Sequence, residues 1–219
     1  MTQIHQSESE IYEGQFGNFT ITQSDRIGVM IYRGGLLVAA LSFALASWLV
    51  LSQGNTPTVL AALTPLYVLF CTALGVSLLT IHIYLAVLHR FLQICWGIGV
   101  IASTVLALQN SEPLALFVYN HPVAILGVGF TFVALTGIYF KEAFCFNRLE
   151  TKFLTPLVPM LLLGHLTGML PPSWEQVLLG VWTILFLVFA WRKVVQAIPA
   201  DIGDKSVFAY LKNQSATHS

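Results

Sequence analysis

Residues 34–89 contain no aspartate, glutamate, lysine or arginine, and this feature constrains the fold more than any other. The whole chain of 219 residues is 56% hydrophobic and 9% charged, whereas soluble domains carry about 25% charged residues. A protein this poor in charge cannot cover a water-exposed surface with polar groups, so its solvent must be the lipid bilayer. The net charge is zero, which predicts no nucleic-acid partner.

Apolar segments separated by turn residues or charges predict six transmembrane helices. A helical span requires about 20 apolar residues. The turn sequence GNTP divides the charge-free region, QNSEP precedes the fourth segment, and PP ends the fifth. The predicted spans are residues 34–51, a segment within 59–88, then 91–108, 122–140, 153–170 and 176–190.

The positions of the basic residues predict the topology. With six spans, all ten lysines and arginines fall on one side of the membrane: Arg26, Arg33, Arg90, Lys141, Arg148, Lys152, Arg192, Lys193, Lys205 and Lys212. Cytoplasmic loops are enriched in these residues, so both termini are expected in the cytoplasm. The predicted fold is an all-α polytopic bundle with a polar segment (1–26), a transmembrane domain (27–195) and a cytoplasmic tail (196–219).

The first 26 residues are polar and acidic. They lack the basic start and apolar core of a secretory signal, so they are expected to form a mature cytoplasmic segment. Gly17-Asn18 is expected to turn a short hairpin that ends in Phe19 and Ile21.

The stretch KEAFCFNRLETK, residues 141–152, is expected to be a cytoplasmic loop between spans four and five. Its lysines would extend to water and its aromatic residues would lie at the interface. In a second interpretation it is a functional rim, in which Lys141, Glu142 and Arg148, together with Cys145, bind a partner protein.

The junction of spans two and three is ambiguous, because IHIYLAVLHRFLQICWG contains no turn signal before its final glycine. It can be read as one continuous helix, with an earlier break at Thr64-Pro65, so that span two runs from about Leu66 to about His89. Alternatively, span two ends near Leu79 and the following residues lie flat at the cytoplasmic surface. His82, Ala86, His89 and Gln93 would then form one polar stripe of an amphipathic helix.

Histidines are the only ionisable candidates within the predicted spans, where such groups are costly and often functional. His82 and His89 lie roughly 10 Å apart along a helix, too far to chelate one metal ion. Each could ligate a separate haem or pigment, or bond to a neighbouring helix. His165 lies in GHLTG, roughly 20 Å from Lys152 and so deep in the predicted span. It would bind a hydroxyl, a carbonyl or a metal, as a structural contact, as a cofactor ligand or as part of a proton or substrate path. Gly164 and Gly168 form a GxxxG helix-packing pair.

No predicted span contains a carboxylate that could run a proton or sodium cycle, and no HExxH, GxSxG or Walker motif is present. The cysteines Cys71, Cys95 and Cys145 lack CxxC spacing and predict neither a disulfide framework nor a zinc site. The sequence therefore predicts no catalytic residue and no metal ligand, and it requires no cofactor.

The six-span layout, the block FKEAFCFN and the later GHLTG resemble a family of uncharacterised integral membrane proteins, from about Tyr12 to Ile198. That family is common in cyanobacteria and has plastid and proteobacterial relatives. The resemblance implies a thylakoid or plasma membrane location, with a place beside photosynthetic complexes. It carries no assigned active site to this chain.

Three functions are consistent with the sequence. The first is an accessory, scaffold or assembly protein that packs against larger membrane complexes. The second is a haem- or chlorophyll-binding protein that uses His82, His89 or His165. The third is a small transporter or membrane enzyme with a lipid-soluble substrate, which would need a polar cavity that His165 reaches.

Overall fold

The computed structural model describes residues 11–83, 85–207 and 210. Within them, a short hairpin precedes eight helices. The antiparallel strands are β1 (Ile11–Gly14) and β2 (Gly17–Thr20). The helices are α1 (Gln23–Gln53), α2 (Pro57–Thr80), α3 (Ala86–Gln109), α4 (Leu114–Asn120), α5 (Ile125–Phe146), α6 (Leu149–Leu166), α7 (Pro172–Val194) and α8 (Ile198–Ile202), with a 3₁₀ turn at Pro122–Ala124 before α5.

Five of the described helices are long and apolar enough to cross a membrane, namely α1, α2, α3, α7 and α5 with its preceding 3₁₀ turn. Helix α6 falls outside this set, so the expected count of six spans is not confirmed. The fifth predicted span, 153–170, is displaced: α6 includes Glu150 and Lys152 and ends before Gly168. The short helices α4 and α8 carry no periodic signal strong enough to predict them.

The junction between spans two and three is a break in the chain's helical structure, so the interpretation as one continuous helix is wrong. Helix α2 ends at Thr80, Ile81 is extended, and α3 begins at Ala86. The interpretation in which span two ends near Leu79 was right about the end of α2. However, α3 itself begins at Ala86, and no separate surface helix is formed among the described residues. The last carbonyls of a helix lack intrahelical partners, and the Leu78 carbonyl lies 2.6 Å from His89 Nε2 and 3.3 Å from Gln93 Nε2.

The predicted N-terminal hairpin is present, but its turn comes earlier than expected. Gly14 pairs with Gly17, so the turn residues are Gln15 and Phe16, and Asn18 lies in β2. Gly17 has φ of +131°, a conformation that residues with a side chain rarely adopt. Helix α1 follows with a capping box, in which Thr22 and Asp25 each bond to the other's backbone N–H.

The long helices alternate in direction, so the starts of α1, α3 and α6 meet the ends of α2, α5 and α7. We call this the basic end of the bundle, because every described lysine and arginine belongs to it. Contacts between α1 and the end of α7, such as Arg33 Nη1 to the Val194 carbonyl at 3.4 Å, place these elements together. The remaining helix termini and α4 form the opposite end.

Close helix crossings hold the bundle together. A Cβ atom at Gly99 of α3 would collide with the side chain and the backbone nitrogen of Thr131 on α5, so only glycine permits this approach. The core is rich in aromatic residues: Phe43 packs on Trp182 with ring centroids 4.5 Å apart, and Phe132 packs on the same indole at 5.3 Å. Large apolar side chains also remain exposed along the helices, including Leu41, Leu45, Trp48, Val68 and Ile184, as a lipid environment requires.

The two ends of the described chain are joined at the basic end. Asp204 accepts a hydrogen bond from the backbone N–H of Gln15 at 2.6 Å, and Ser206 Oγ accepts one from Phe16 at 3.0 Å. Hydrogen bonds from Ser206 and from Gln15 lower the pKa of Asp204. Ile21, Val29 and Ile202 form a small apolar cluster that joins the start of α1 to α8. The expected division into segments 1–26, 27–195 and 196–219 stays a prediction, and residues 1–10 and 211–219, with Lys212, lie outside the described residues.

Candidate functional site

A cavity of about 530 Å³ opens among α1, α2, α4, α5, α6 and α7 at the opposite end of the bundle. Its wall is mostly apolar, and the aromatic residues Phe43, Phe70 and Phe132 form its inner part. Its polar residues lie mainly near the helix termini and include His165, Glu175, Asn55 and Gln176. Volume and lining are typical of sites that bind small molecules.

His165 and Glu175 form the polar edge of this cavity. His165 Nδ1 lies 2.7 Å from Glu175 Oε1, and His165 Nε2 lies 3.1 Å from the Tyr119 carbonyl oxygen. The Tyr119 ring stacks on the imidazole with centroids 4.8 Å apart. Burial, followed by the neighbouring Glu175 carboxylate, raises the pKa of the Tyr119 phenol.

The turn after α6 positions His165. The N–H of Met169 bonds to the Gly164 carbonyl, and the N–H of Gly168 bonds to the His165 carbonyl. This is the Schellman arrangement, in which the residue after the helix takes a left-handed conformation, and Gly168 has φ of +65°. The prediction of a GxxxG helix-packing face is therefore corrected: Gly168 lies outside the helix, and Leu170 folds back over Gly164.

His165 also lies closer to a helix end than expected, while its depth in the membrane stays a prediction. It lies in the last turn of α6 because the helix ends at Leu166, whereas the prediction extended the span to residue 170. Its partner Glu175 lies in the first turn of α7. The sequence did contain a signal for this pair, since two antiparallel helices around GMLPP place residues equally distant from the turn side by side.

Both ring nitrogens of His165 face oxygen atoms, and this limits the protonation states of the pair. The backbone carbonyl of Tyr119 can only accept, so Nε2 must carry a proton. Nδ1 then either donates to an ionised Glu175 or accepts from a protonated one. In both states the pair carries no net charge, and the lone pairs of Glu175 that do not face His165 can bond to a polar group in the cavity.

Hydroxyl groups line the deeper part of the cavity. The Tyr67 hydroxyl lies 2.8 Å from Ser103 Oγ and 3.2 Å from Thr131 Oγ1, and so links α2, α3 and α5. Ser47 of α1 is buried, lines the cavity, and has no hydrogen-bond partner among the described residues. A buried hydroxyl usually has a partner, so Ser47 can bond to a molecule that enters.

A second polar site, the basic-end ion network, lies on the far side of the aromatic core. Lys193 is fully buried, and its Nζ atom lies 2.9 Å from Glu142 Oε2 and also contacts Asp201. Arg33 Nη2 lies 2.6 Å from Asp201 Oδ2. Lys141 Nζ lies 2.8 Å from Glu142 Oε1. Buried charges are tolerated when they are paired in this way.

The network corrects the expected loop at residues 141–152. Lys141 and Glu142 lie in α5 and Glu150 in α6, so only Asn147 and Arg148 lie between the two helices. Asn147 ends α5 with φ of 52°. Glu142 is fully buried and bonded within the chain, so a partner protein cannot reach it; Lys141 and Arg148 are partly exposed, and partner binding through them stays a prediction.

The helices also bring carboxylates into positions that the sequence had assigned to loops. Glu150 and Glu175 lie in first turns and Glu142 lies just before a last turn, since α5, α6 and α7 extend beyond the predicted spans. Glu150 is buried and lies 2.7 Å from Arg192 Nη1. Its second oxygen and Arg148 Nη1 are buried without a hydrogen bond among the described residues.

The three candidate histidines occupy separate places. His165 edges the cavity, whereas His89 bonds at the α2–α3 break. His82 lies in that break, near Gly28 of α1, and burial lowers its pKa. The structure therefore does not bring the three residues into one ligand site, and cofactor binding by any of them stays a prediction.

Comparison with known proteins finds a matching protein family and a similar protein. Residues 76–210 match the model of a family described as "Uncharacterized integral membrane protein (DUF2301)". The chain belongs to this family. This DUF2301 protein is also similar to an uncharacterized protein of Haemophilus influenzae, with 27% identity over 188 residues that cover 84% of this chain and 91% of the relative. No solved structure matches it.

The matched region of this DUF2301 protein begins in α2 and includes α3 to α8. It therefore contains His165, Glu175, Glu142 and Lys193, but not α1 with Ser47 and Arg33. The chain is a multi-pass integral membrane protein, as the sequence predicted. A cyanobacterial and plastid distribution stays a prediction.

Proposed function

We propose that this DUF2301 protein binds a lipid-soluble molecule in the cavity edged by His165 and Glu175, as a carrier or as an enzyme. The cavity itself is the observation that carries the proposal: six helices line about 530 Å³ of mostly apolar space, with the hydrogen-bonded pair of His165 and Glu175 at one edge. A purely structural bundle would be expected to fill such a space, since protein interiors pack densely.

The test is the identity of molecules that copurify with the protein. The protein is purified in mild detergent and examined by native mass spectrometry. Ala46→Phe places a large side chain into the cavity wall, and Ala61→Phe adds the same side chain on the exposed face of α2. A bound molecule that survives Ala61→Phe and is lost in Ala46→Phe is the expected result. A wild-type protein that carries nothing, and acquires nothing from added lipid extract, would contradict the proposal.

We further propose that α6 crosses the membrane, which gives six spans. Helix α6 contacts α7 at both ends, through Glu150 with Arg192 at the basic end and His165 with Glu175 at the opposite end, each at 2.7 Å. Between these contacts α6 rises roughly 22 Å and α7 roughly 25 Å. Since α7 is apolar enough to cross, its antiparallel neighbour would cross with it.

Six spans support a topology with both termini in the cytoplasm of a bacterial cell, in its plasma membrane or a thylakoid. The basic end then faces the cytoplasm, in keeping with the distribution of lysine and arginine, and the cavity lies toward the periplasm or lumen. Reporter fusions to each terminus test this, with alkaline phosphatase active only outside the cytoplasm and green fluorescent protein active only inside. Phosphatase activity at either terminus would refute the scheme.

An accessory role in a larger membrane complex is the second candidate function. At the basic end, Phe140, Phe144 and Phe153 are exposed beside Lys141 and Arg148, and such a mixed surface can dock a partner. Crosslinking in membranes followed by native gels would then place the protein in a larger assembly, and the double variant Phe140→Ser/Phe144→Ser would release it. Unchanged migration as a monomer in both proteins would remove this candidate.

Haem or chlorophyll ligation is less well supported by the geometry. A ligand to iron or magnesium needs a nitrogen lone pair, and both nitrogens of His165 face oxygen atoms of the protein. His89 Nε2 faces a carbonyl oxygen as well. An absorption spectrum of protein purified from its native membrane tests this directly, because a Soret or chlorophyll band that is lost in His165→Leu would restore the hypothesis.

A further inference from the structure

The charges along the cavity wall cancel each other. Among the described residues that line the cavity, His165 and Glu175 are the ones whose side-chain type can carry a charge near neutral pH. Their Nδ1 and Oε1 atoms face each other at 2.7 Å. No lysine, arginine or aspartate is among the described residues that line the cavity. A ligand that carries a net charge would therefore have to leave water without meeting a free counter-charge, which is strongly unfavourable.

We infer that the occupant is an uncharged lipophile that carries a hydroxyl or carbonyl group, such as a long-chain or polycyclic alcohol. This inference rests on the proposed ligand-binding function and specifies its substrate class. It assigns the oxygen of the ligand to the edge formed by His165 and Glu175, and its apolar body to the inner wall of Phe43, Phe70 and Phe132.

The polar groups of the cavity match this class. A carboxylate offers about four acceptor positions, so Glu175 can accept a hydrogen bond from a hydroxyl while it holds His165. Ser47 supplies a second hydroxyl on the wall, roughly 9 Å along α1 from the end of that helix at Gln53. Both groups are neutral or internally neutralised, and both can bond to an uncharged oxygen.

The experiment compares three probes with one pyrenedecyl chain and different head groups: an alcohol, a sulfonate and a trimethylammonium. The full chain carries Ser47→Cys, with Cys71, Cys95 and Cys145 replaced by alanine, in nanodiscs of uncharged phosphatidylcholine. Occupancy is read as protection of the introduced thiol at position 47 from N-ethylmaleimide. We expect the alcohol to slow alkylation about tenfold at a concentration at which the charged probes slow it less than twofold.

Variants at His165 and Glu175 test whether the charges of this pair determine which probe head group is preferred. Glu175→Gln removes the carboxylate and leaves an imidazole, which can be neutral or cationic but not anionic, so any shift in protection should be toward the sulfonate. His165→Gln should shift it toward the trimethylammonium, and the double variant His165→Gln/Glu175→Gln should restore the preference for the alcohol. The three patterns depend on relative protection, so a uniform loss of stability would not imitate them.

The outcomes separate the two levels of the proposal. Equal or stronger protection by the sulfonate or the ammonium in the unsubstituted cavity would overturn the uncharged class, while ligand binding itself would stand. If none of the probes protects the introduced thiol, although Ala46→Phe in the same background does, the lipid-binding function fails together with the substrate class.

Discussion

Replacing Lys193 with methionine tests whether the basic-end ion network stabilises the bundle. Lys193 and Glu142 are both fully buried, with Nζ and Oε2 2.9 Å apart, and Lys193 also contacts Asp201. Removal of one member of a buried pair costs about 3–5 kcal/mol, because the remaining charge is left without its partner. Here Glu142 keeps Lys141 at 2.8 Å and Asp201 keeps Arg33 at 2.6 Å. The expected loss in the free energy of unfolding is therefore at the lower end, about 3 kcal/mol.

The measurement is SDS-induced unfolding in detergent micelles, followed by circular dichroism. Lys152→Met is the matched control, since Lys152 lies at the same end but is exposed, and an exposed charge contributes less than about 1 kcal/mol. The double variant Glu142→Gln/Lys193→Met removes both members of the pair, so its loss of stability should be smaller than the sum of the two single losses, by about 0.5–3 kcal/mol. A Lys193→Met protein that is as stable as Lys152→Met would refute the argument that these buried charges need each other.

Three further changes have defined outcomes. Gly168→Ala should lower the free energy of unfolding by about 1–2 kcal/mol, because alanine disfavours the left-handed conformation at φ of +65°, and Gly168→Asn should lower it less; equal stability of all three proteins would contradict the turn geometry. Gly99→Val should cost at least about 1–3 kcal/mol through its collision with Thr131, whereas Gly97→Val, with open space around it, should be tolerated. Burial lowers the pKa of His82 below 6.5, so the unfolded state binds more protons and stability should decrease as the pH falls below about 6.5. His82→Gln should remove that part of the pH dependence in thermal unfolding from pH 7.5 to 5.5, and identical pH profiles would refute it. The charges that also act on the pKa of His82 are those of Asp25 and Asp201, which raise it, and those of Lys141 and Lys205, which lower it.

Charge spacing predicted the helical segments because lipid excludes charged side chains over a fixed thickness. Every predicted span overlaps a helix, and the turn sequences GNTP and QNSEP lie at junctions between helices as expected. Charged residues predicted the ends of the helices less well than they predicted the helical segments. The helices α5, α6 and α7 continue through Glu142, Glu150 and Lys193, since a charge at a helix end is tolerated when another helix supplies its counter-charge.

The candidate site was predictable in part. Ionisable groups are rare in apolar helices, which drew attention to His165, but not to Glu175, which seemed to lie in a loop. The cavity depends on how six helices pack, and periodicity within one helix carries no information on that. Pairs such as Glu142 with Lys193, 51 positions apart, likewise follow from packing register, which one sequence does not reveal.

The pairing of Arg33 with Asp201 has a consequence for biosynthesis. The two residues are 168 positions apart, and a ribosome adding about 5–20 residues per second needs roughly 10–30 s to make the intervening chain. During that interval the guanidinium of the first helix lacks Asp201, its partner in the finished bundle. Helix α1 can therefore complete this contact only after α8 has been made.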